Sequence, residues 1–265
     1  MEPTGLAVGI VGLASSFSSA VECFRYVRIV KRSEYDFQTL TLELDMTQVR
    51  LTRWGNALGL TECGDDSSTI PTTLDGQYAK DNVNFAIKNL DQIAAAFENA
   101  EKKINSMNPG TISDASLNET TQAAHNSLTR ICEKRLPFKA KLKDRVKWAL
   151  WEKEELTSLI NDIDKLVTNV MDLLPPRQER VQNACQEEVS AIKQMSQEVI
   201  ATLEQVAKAK DKDLKDSMDH EKSRPQTTIN TPHSSSTNTF GDNNSGFQIG
   251  HYSGTMTNHF GGGRK

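Results

Sequence analysis

Apolar side chains recur at helical spacing along most of the chain up to about residue 218, the period of helices that bury one face. A first helix is expected over about Leu6–Lys31, with Glu22, Arg25 and Arg28 confined to its second half. A second is expected over about Tyr35–Leu58, where Phe37, Leu40, Leu44, Leu51, Trp54 and Leu58 fall on one face. Residues 59–73 read as a loop. A third helix over about Leu74–Met107 carries the stripe Ala86, Leu90, Ile93 and Phe97, and Asn108-Pro109-Gly110 ends it. A weaker helix lies around 114–135. Residues 139–174 hold Leu156, Leu159, Ile163, Leu166, Val170 and Leu174 in register, before Pro175-Pro176. The last helix is expected to run unbroken over about Gln178–Met218. Its heptad-like seam is Cys185, Val189, Ile192, Ser196, Val199, Leu203 and Val206, which fits packing on its own domain or a coiled coil between chains.

The pattern then changes. Residues 219–238 contain Pro225 and Pro232, with Ile229 as their aliphatic side chain. Such a segment buries too little apolar surface to offset its conformational entropy, so it reads as a flexible linker. The tail, 239–265, is nearly uncharged and rich in Gly and Asn. Phe247 and Ile249 flank Gln248 at strand spacing, and Gly241, Gly246, Gly250 and Gly254 recur between polar residues. It suits a disordered tail, or a segment that satisfies its backbone by stacking on copies of itself, with Phe240, Gly241, Asn243, Asn244, Gly246, Phe247, Gln248, Ile249, Gly250 and Gly254 as the cross-β core.

Residues 5–21 are charge-free and carry Leu6, Val8, Ile10, Val11, Leu13, Phe17 and Val21. Ser15, Ser16, Ser18 and Ser19 make the run too polar for constitutive insertion, and the run is too apolar for a solvated tail. Acidic Glu2 stands where a secretory signal would be basic. The run therefore reads as conditionally membrane-active, within a membrane-active N-terminal segment taken as 5–30, or as a buried core helix.

Composition narrows the function classes. The chain has 265 residues and a net charge of -4, which argues against a protein built to bind nucleic-acid backbone. The basic stretch Lys134–Lys147 is the notable charge cluster, read as a solvated helix face or a contact for anionic lipid or nucleic acid. The cysteines, Cys23, Cys63, Cys132 and Cys185, are scattered and without a C-x-x-C pair, so neither a disulfide framework nor a zinc site is expected. Of the histidines, His220, His233, His251 and His259 lie in the linker or tail, and His125 has no metal-ligand spacing. No P-loop, nucleophile elbow or dinucleotide fingerprint is found. No catalytic residue, metal site or cofactor is assigned, and an enzyme is not expected.

Several motifs resemble one family. Cys23-Phe24-Arg25-Tyr26-Val27, Leu42-Glu43-Leu44-Asp45 and Arg50-Leu51-Thr52-Arg53-Trp54-Gly55 occur in order, followed by a Trp148-Ala149-Leu150 segment and a long helix. Over about residues 5–215 the chain is similar to the fungal HeLo domain of the HET-S-like prion-inhibition and propagation proteins. The tail segment GDNNSGFQIGHYSG resembles a sigma-type prion motif and departs from the longer paired repeats of a β-solenoid.

The resemblance implies an all-α, multi-helix HeLo-type bundle over 1–218, with Trp54 and Trp148 as structural residues, then the linker and a short amyloid-forming tail. It further implies a cell-death effector of the heterokaryon-incompatibility type. Such a protein is cytoplasmic when inactive, and found at the plasma membrane and in amyloid foci when activated. The partners implied are the tail itself, a receptor or hydrolase-like protein with a similar motif, membrane lipid after activation, and a second helical domain where the fold pairs as a homodimer. Two rivals stand beside this reading. One is a non-lytic prion-inhibitory or adaptor protein of the same fold. The other is a nucleic-acid-associated condensate former, against which net acidity counts.

Overall fold

The computed structural model describes residues 3–25, 27–29, 35–61, 74, 77–106, 117–136, 148–150 and 153–223. The chain divides between Arg224 and Pro225, and the described residues all belong to the first unit. The tail with its candidate cross-β core, Phe240 to Gly254, and the linker beyond Ser223 lie outside the described residues.

The described residues form helices α1 (Pro3–Phe24), α2 (Tyr35–Ala57), α3 (Lys80–Ser106), α4 (Glu119–Arg135), α5 (Lys153–Leu173), α6 (Gln178–Ile192), α7 (Gln197–Lys210) and α8 (Lys212–Ser223). Two short strands, β1 (Val27–Ile29) and β2 (Trp148–Leu150), complete the order. The all-α expectation holds apart from this strand pair.

The strands correct the first and fifth expected helices. The first helix stops at Phe24 rather than near Lys31, and β1 follows. Val27, Ile29 and Val30 are β-branched, which favours extended backbone over helix. β1 pairs in parallel with β2, Val27 opposite Trp148 and Ile29 opposite Leu150, which supplies its backbone partners. Consequently the helix expected over 139–174 begins only at Lys153. Trp148 takes part through this backbone register; its side chain lies outside the described residues.

The long last helix is corrected to three. Ser196, expected in the seam, is instead the N-cap of α7, and its hydroxyl accepts from the Val199 amide at 3.5 Å. Asp211 ends α7 and accepts from the Leu214 amide at 3.2 Å, which starts α8. The seam thus folds back within the chain: Val189, Ile192, Val199, Leu203 and Val206 share one buried cluster. α8 also runs past residue 218 into the expected linker. Met218 is buried, and Lys222 and Glu221 pair with Glu204 and Lys193, each at 2.5 Å.

Two further boundaries move. α3 begins at Lys80 rather than Leu74, and α4 at Glu119, where the Asn118 side chain accepts from the Thr121 amide at 2.7 Å. In the expected basic face, Arg135 is buried and bonded internally, so that face is not wholly solvated.

Among the described residues, two large apolar layers share α2, beside a small third cluster of Ala57, Val181 and Cys185. The first joins Phe37, Leu40, Leu44, Leu51 and Trp54 of α2 to α1, α3 and α5. The second joins Leu42, Met46 and Val49 of α2 to α4, α6, α7 and α8. α2 is therefore buried on two sides. Its threonines tolerate this because Thr41 and Thr47 donate their hydroxyls to the carbonyls of Phe37 and Glu43, at 2.8 and 2.9 Å.

Candidate membrane-active helix and its seat

The charge-free run forms most of α1, a helix of 22 residues. Ile10, Leu13, Phe17 and Val21 are buried and share the inward face, together with Ala14, Ala20, Cys23 and Phe24. Val11 points outward at 41% exposure, beside exposed Ser15 and Ser19. Leu6 and Val8 lie in the helix, with side chains outside the described residues. The candidate insertion residues thus divide between a buried stripe and an outward face that is uncharged as well. Among the described residues, no helix is long and apolar enough to cross a membrane.

The seat of α1 is built from α2 and α3. The rings of Phe17 and Trp54 lie 6.0 Å apart between centroids, tilted by 55°. Phe24 meets Phe97 of α3 edge-on, at 4.9 Å and 67°, a favourable aromatic arrangement. Gly9 and Gly12 bring the α1 backbone close to α3: a Cβ at Gly9 would lie 3.5 Å from Val83 Cγ1, and one at Gly12 would lie 3.4 Å from Ile87 Cδ1. Gly55 of α2 is tighter still. A Cβ there would overlap Cζ, Cε1 and Cε2 of Phe17, with even Cε1 at 2.9 Å. Hydrogen at this position is what lets the Phe17 ring rest on the α2 backbone.

The residues flanking this seat are fixed by buried polar bonds. The Trp54 indole N–H donates to the Leu174 carbonyl at 2.9 Å. Arg53 grips Glu188 through Nε at 2.9 Å and Nη2 at 2.6 Å, and Asp211 through Nη1 at 3.0 Å and Nη2 at 2.5 Å. Arg135 Nη1 lies 2.6 Å from Glu188, and its Nη2 donates to the Ala184 carbonyl at 3.2 Å. Burial by itself disfavours the Arg53 charge; the Glu188 and Asp211 carboxylates outweigh it and hold the guanidinium well above its ordinary range. A second polar pair, His125 Nδ1 and Asp45 Oδ2 at 2.7 Å, joins α4 to α2. Sequence motifs singled out Arg50–Gly55 without revealing this cluster, since Glu188 and Asp211 lie far along the chain.

Cys23, Cys132 and Cys185 are buried, and the Cys23 thiol donates to the Ser19 carbonyl at 3.2 Å. Burial pushes Cys132 and Cys185 to about 12, so both remain protonated and unreactive at neutral pH. Cys63 lies outside the described residues.

Comparison with known proteins agrees with this geometry. The family profile described as HeLo, prion-inhibition and propagation, matches residues 5–203. Heterokaryon incompatibility protein s of Podospora anserina is 25% identical over 181 residues, 66% of this chain and 60% of the relative. Heterokaryon incompatibility protein S of the same species matches at the same identity and coverage. The matched part thus spans three fifths of these relatives' length. Among solved structures, the HET-S N-terminal domain aligns with a TM-score of 0.64 at 21% identity, over 83% of this chain and 97% of that one. A mutant HET-s N-terminal domain aligns equally well at 20% identity, over 78% and 97%. At these identities the structural likeness establishes the fold.

Proposed function

Because the chain belongs to the HeLo prion-inhibition and propagation family, we propose that it is a non-enzymatic, amyloid-triggered membrane-permeabilising effector of the heterokaryon-incompatibility type. The observation that carries this reading is α1. Its run 5–21 carries no charge on either its buried or its outward face, so no ionised side chain within that run opposes transfer to lipid once the seat is lost. In water the Ile10, Leu13, Phe17 and Val21 stripe stays covered by the core.

The trigger is the tail. Templating by a receptor or hydrolase-like protein with a similar motif stacks tails into a cross-β fibre and gathers the helical domains. Crowding raises the effective concentration of a helix too weak to insert singly, and many weak insertions together permeabilise the plasma membrane. Before triggering the protein is cytoplasmic; afterwards it occupies foci and membrane.

A non-lytic, prion-inhibitory role is the second reading. It draws support from the absence, among the described residues, of a helix long and apolar enough to span a bilayer. One experiment separates the two: dye release from liposomes on seeding the full chain with tail fibres. Val11 is exposed, so Val11→Lys is compatible with the fold. A lysine at mid-bilayer costs about 2.5–3.5 kcal/mol on insertion scales. Leakage by the wild type that Val11→Lys abolishes supports the lytic reading. No leakage from the wild type leaves the inhibitory one, and undiminished leakage from a folded Val11→Lys protein excludes α1 as the inserting element.

A further inference from the structure

We propose that the cavity between α4 and α6 binds a phosphate monoester, with buried Arg135 and exposed Lys134 as its cations. The site stands apart from the seat of α1 and does not rest on the membrane activity proposed for that helix.

The cavity has a volume of about 770 Å³, within the range of small-molecule sites. The last turn of α4 lines it from one side, and Asn183, Gln186, Glu187 and Ser190 of α6 line it from the other. Arg135 is 8% exposed, and its donors are only partly used. Nη2 donates to the Ala184 carbonyl at 3.2 Å. Nη1 lies 2.6 Å from Glu188 Oε1, close enough to pair in charge, yet its hydrogens meet no acceptor among the described residues. Arg53 already occupies both Glu188 oxygens, donating to Oε1 through Nε at 2.9 Å and to Oε2 through Nη2 at 2.6 Å. A buried donor without an acceptor destabilises the fold unless a bound group supplies one. Basic residues in the last turn of α4 also suit the helix dipole, which accounts for their charge. It does not account for the unspent hydrogens of Nη1, or for a cavity lined by the side chain that bears them.

The balance of groups selects the ligand. Charges in and beneath the cavity cancel, Arg53 and Arg135 against Glu188 and Asp211, and Lys134 against Glu187. Donors are in surplus: Nη1 of Arg135, the Lys134 ammonium and the side-chain amides of Asn183 and Gln186. The Ser190 hydroxyl is spent on the Gln186 carbonyl at 2.8 Å and is left to accept. Such a set favours an oxyanion over a cation or an apolar molecule. The terminal oxygens of a phosphate monoester use more of these donors than a carboxylate does. The remaining volume is room for the esterified group. That group comes either from a soluble metabolite or from a lipid, and the phosphate chemistry is the same for both.

The test is titration calorimetry on the full chain, without tail fibres and at constant ionic strength. Glycerol 3-phosphate serves as the free monoester, and phosphatidylcholine vesicles containing phosphatidic acid present it on lipid. Saturable binding is expected. Lys134→Gln removes a cationic donor and should weaken it about fivefold or more, whereas Glu187→Gln removes a repelling carboxylate and should tighten it about twofold. Arg135→Gln endangers the fold by stranding Glu188, so these two exposed positions carry the test. Binding of glycerol 3-phosphate assigns a soluble ligand; binding of the vesicles alone, with the same dependence on Lys134 and Glu187, assigns a lipid headgroup. A variant with Lys139, Lys141 and Lys143 all changed to Gln controls for the basic run that follows. Binding lost in that variant but unchanged in Lys134→Gln would overturn the proposal, and so would binding that never saturates or ignores both positions. Glycerol 3-phosphate bound by a chain that never makes liposomes leak would sink the membrane reading and leave this one standing.

Discussion

The indole N–H of Trp54 donates to the backbone carbonyl of Leu174 at 2.9 Å, joining the last turn of α2 to the residue that follows α5. Both residues are fully buried, so no water stands in for the bond. Trp54→Phe removes the donor, leaves that carbonyl unpaired and opens a cavity beside Phe17. A loss of about 2–4 kcal/mol is expected in urea unfolding. A loss below about 1 kcal/mol would mean that the carbonyl finds another partner.

Arg53 is the hub of the buried charge cluster, and its removal strands two acids. Arg53→Met should cost about 3–5 kcal/mol, because Asp211 and half of the Glu188 valence are left without a cation in a dry site. Asp211→Asn should cost less, since the amide oxygen can still accept from the Leu214 amide and cap α8. Thermal melts of the two variants decide the order; the reverse order would show that capping outweighs charge pairing.

The Asp45–His125 pair should make stability depend on pH in one direction. The hydrogen bond to Asp45 raises the His125 pKa above its ordinary value, and burial opposes this only in part. Burial raises the Asp45 pKa, and the His125 bond offsets it in part. Each group binds its proton more tightly in the folded state, so each contribution is complete below its unfolded pKa and fades as pH rises through the folded one. For His125 that fading begins near pH 6.5 and continues upward. Denaturation midpoints should fall across this window for wild type and flatten in His125→Gln. A midpoint that rises with pH over the same window would contradict the assignment.

The C-terminal boundary of the helical domain follows from α8. Deleting residues 224–265 should leave the melting temperature and helical circular dichroism unchanged. Deleting residues 219–265 removes the partners of Glu204 and Lys193 and the last turns of α8 beyond Met218. Each exposed ion pair contributes at most about 1 kcal/mol, so the shorter protein should remain folded but melt lower. Equal melting of the two truncations would place the functional end of the domain at residue 218.

A synthetic peptide of residues 239–260 should form fibres with a reflection near about 4.7 Å, and Gln248→Pro should abolish them. Proline lacks the amide donor that each layer requires. A peptide that remains monomeric, with no thioflavin response, would remove the trigger from the proposed function.

The helical period by itself determined where most helices lie and which residues on α3 and α5 face inward, because that signal is local. Leu90, Ile93, Phe97, Leu156, Ile163 and Val170 are all buried as their spacing requires. The short motifs sufficed for the family, and they include Trp54, which is buried. What escaped was whatever depends on residues distant in the chain. The second buried stripe of α2, Leu42, Met46 and Val49, is interleaved with threonines and arginines that look exposed until their partners appear. The break at Ser196 cuts the expected seam and the break at Asp211 cuts the expected long helix beyond it, since a cap and a bond to Arg53 outweigh a weak local preference for continuing the helix. The orientation of α1 was least legible of all. The run 5–21 has no charge to mark an outward side, and it is the packing of Phe17 on Gly55 and Trp54 and of Phe24 on Phe97 that accompanies Phe17 facing in and Val11 facing out.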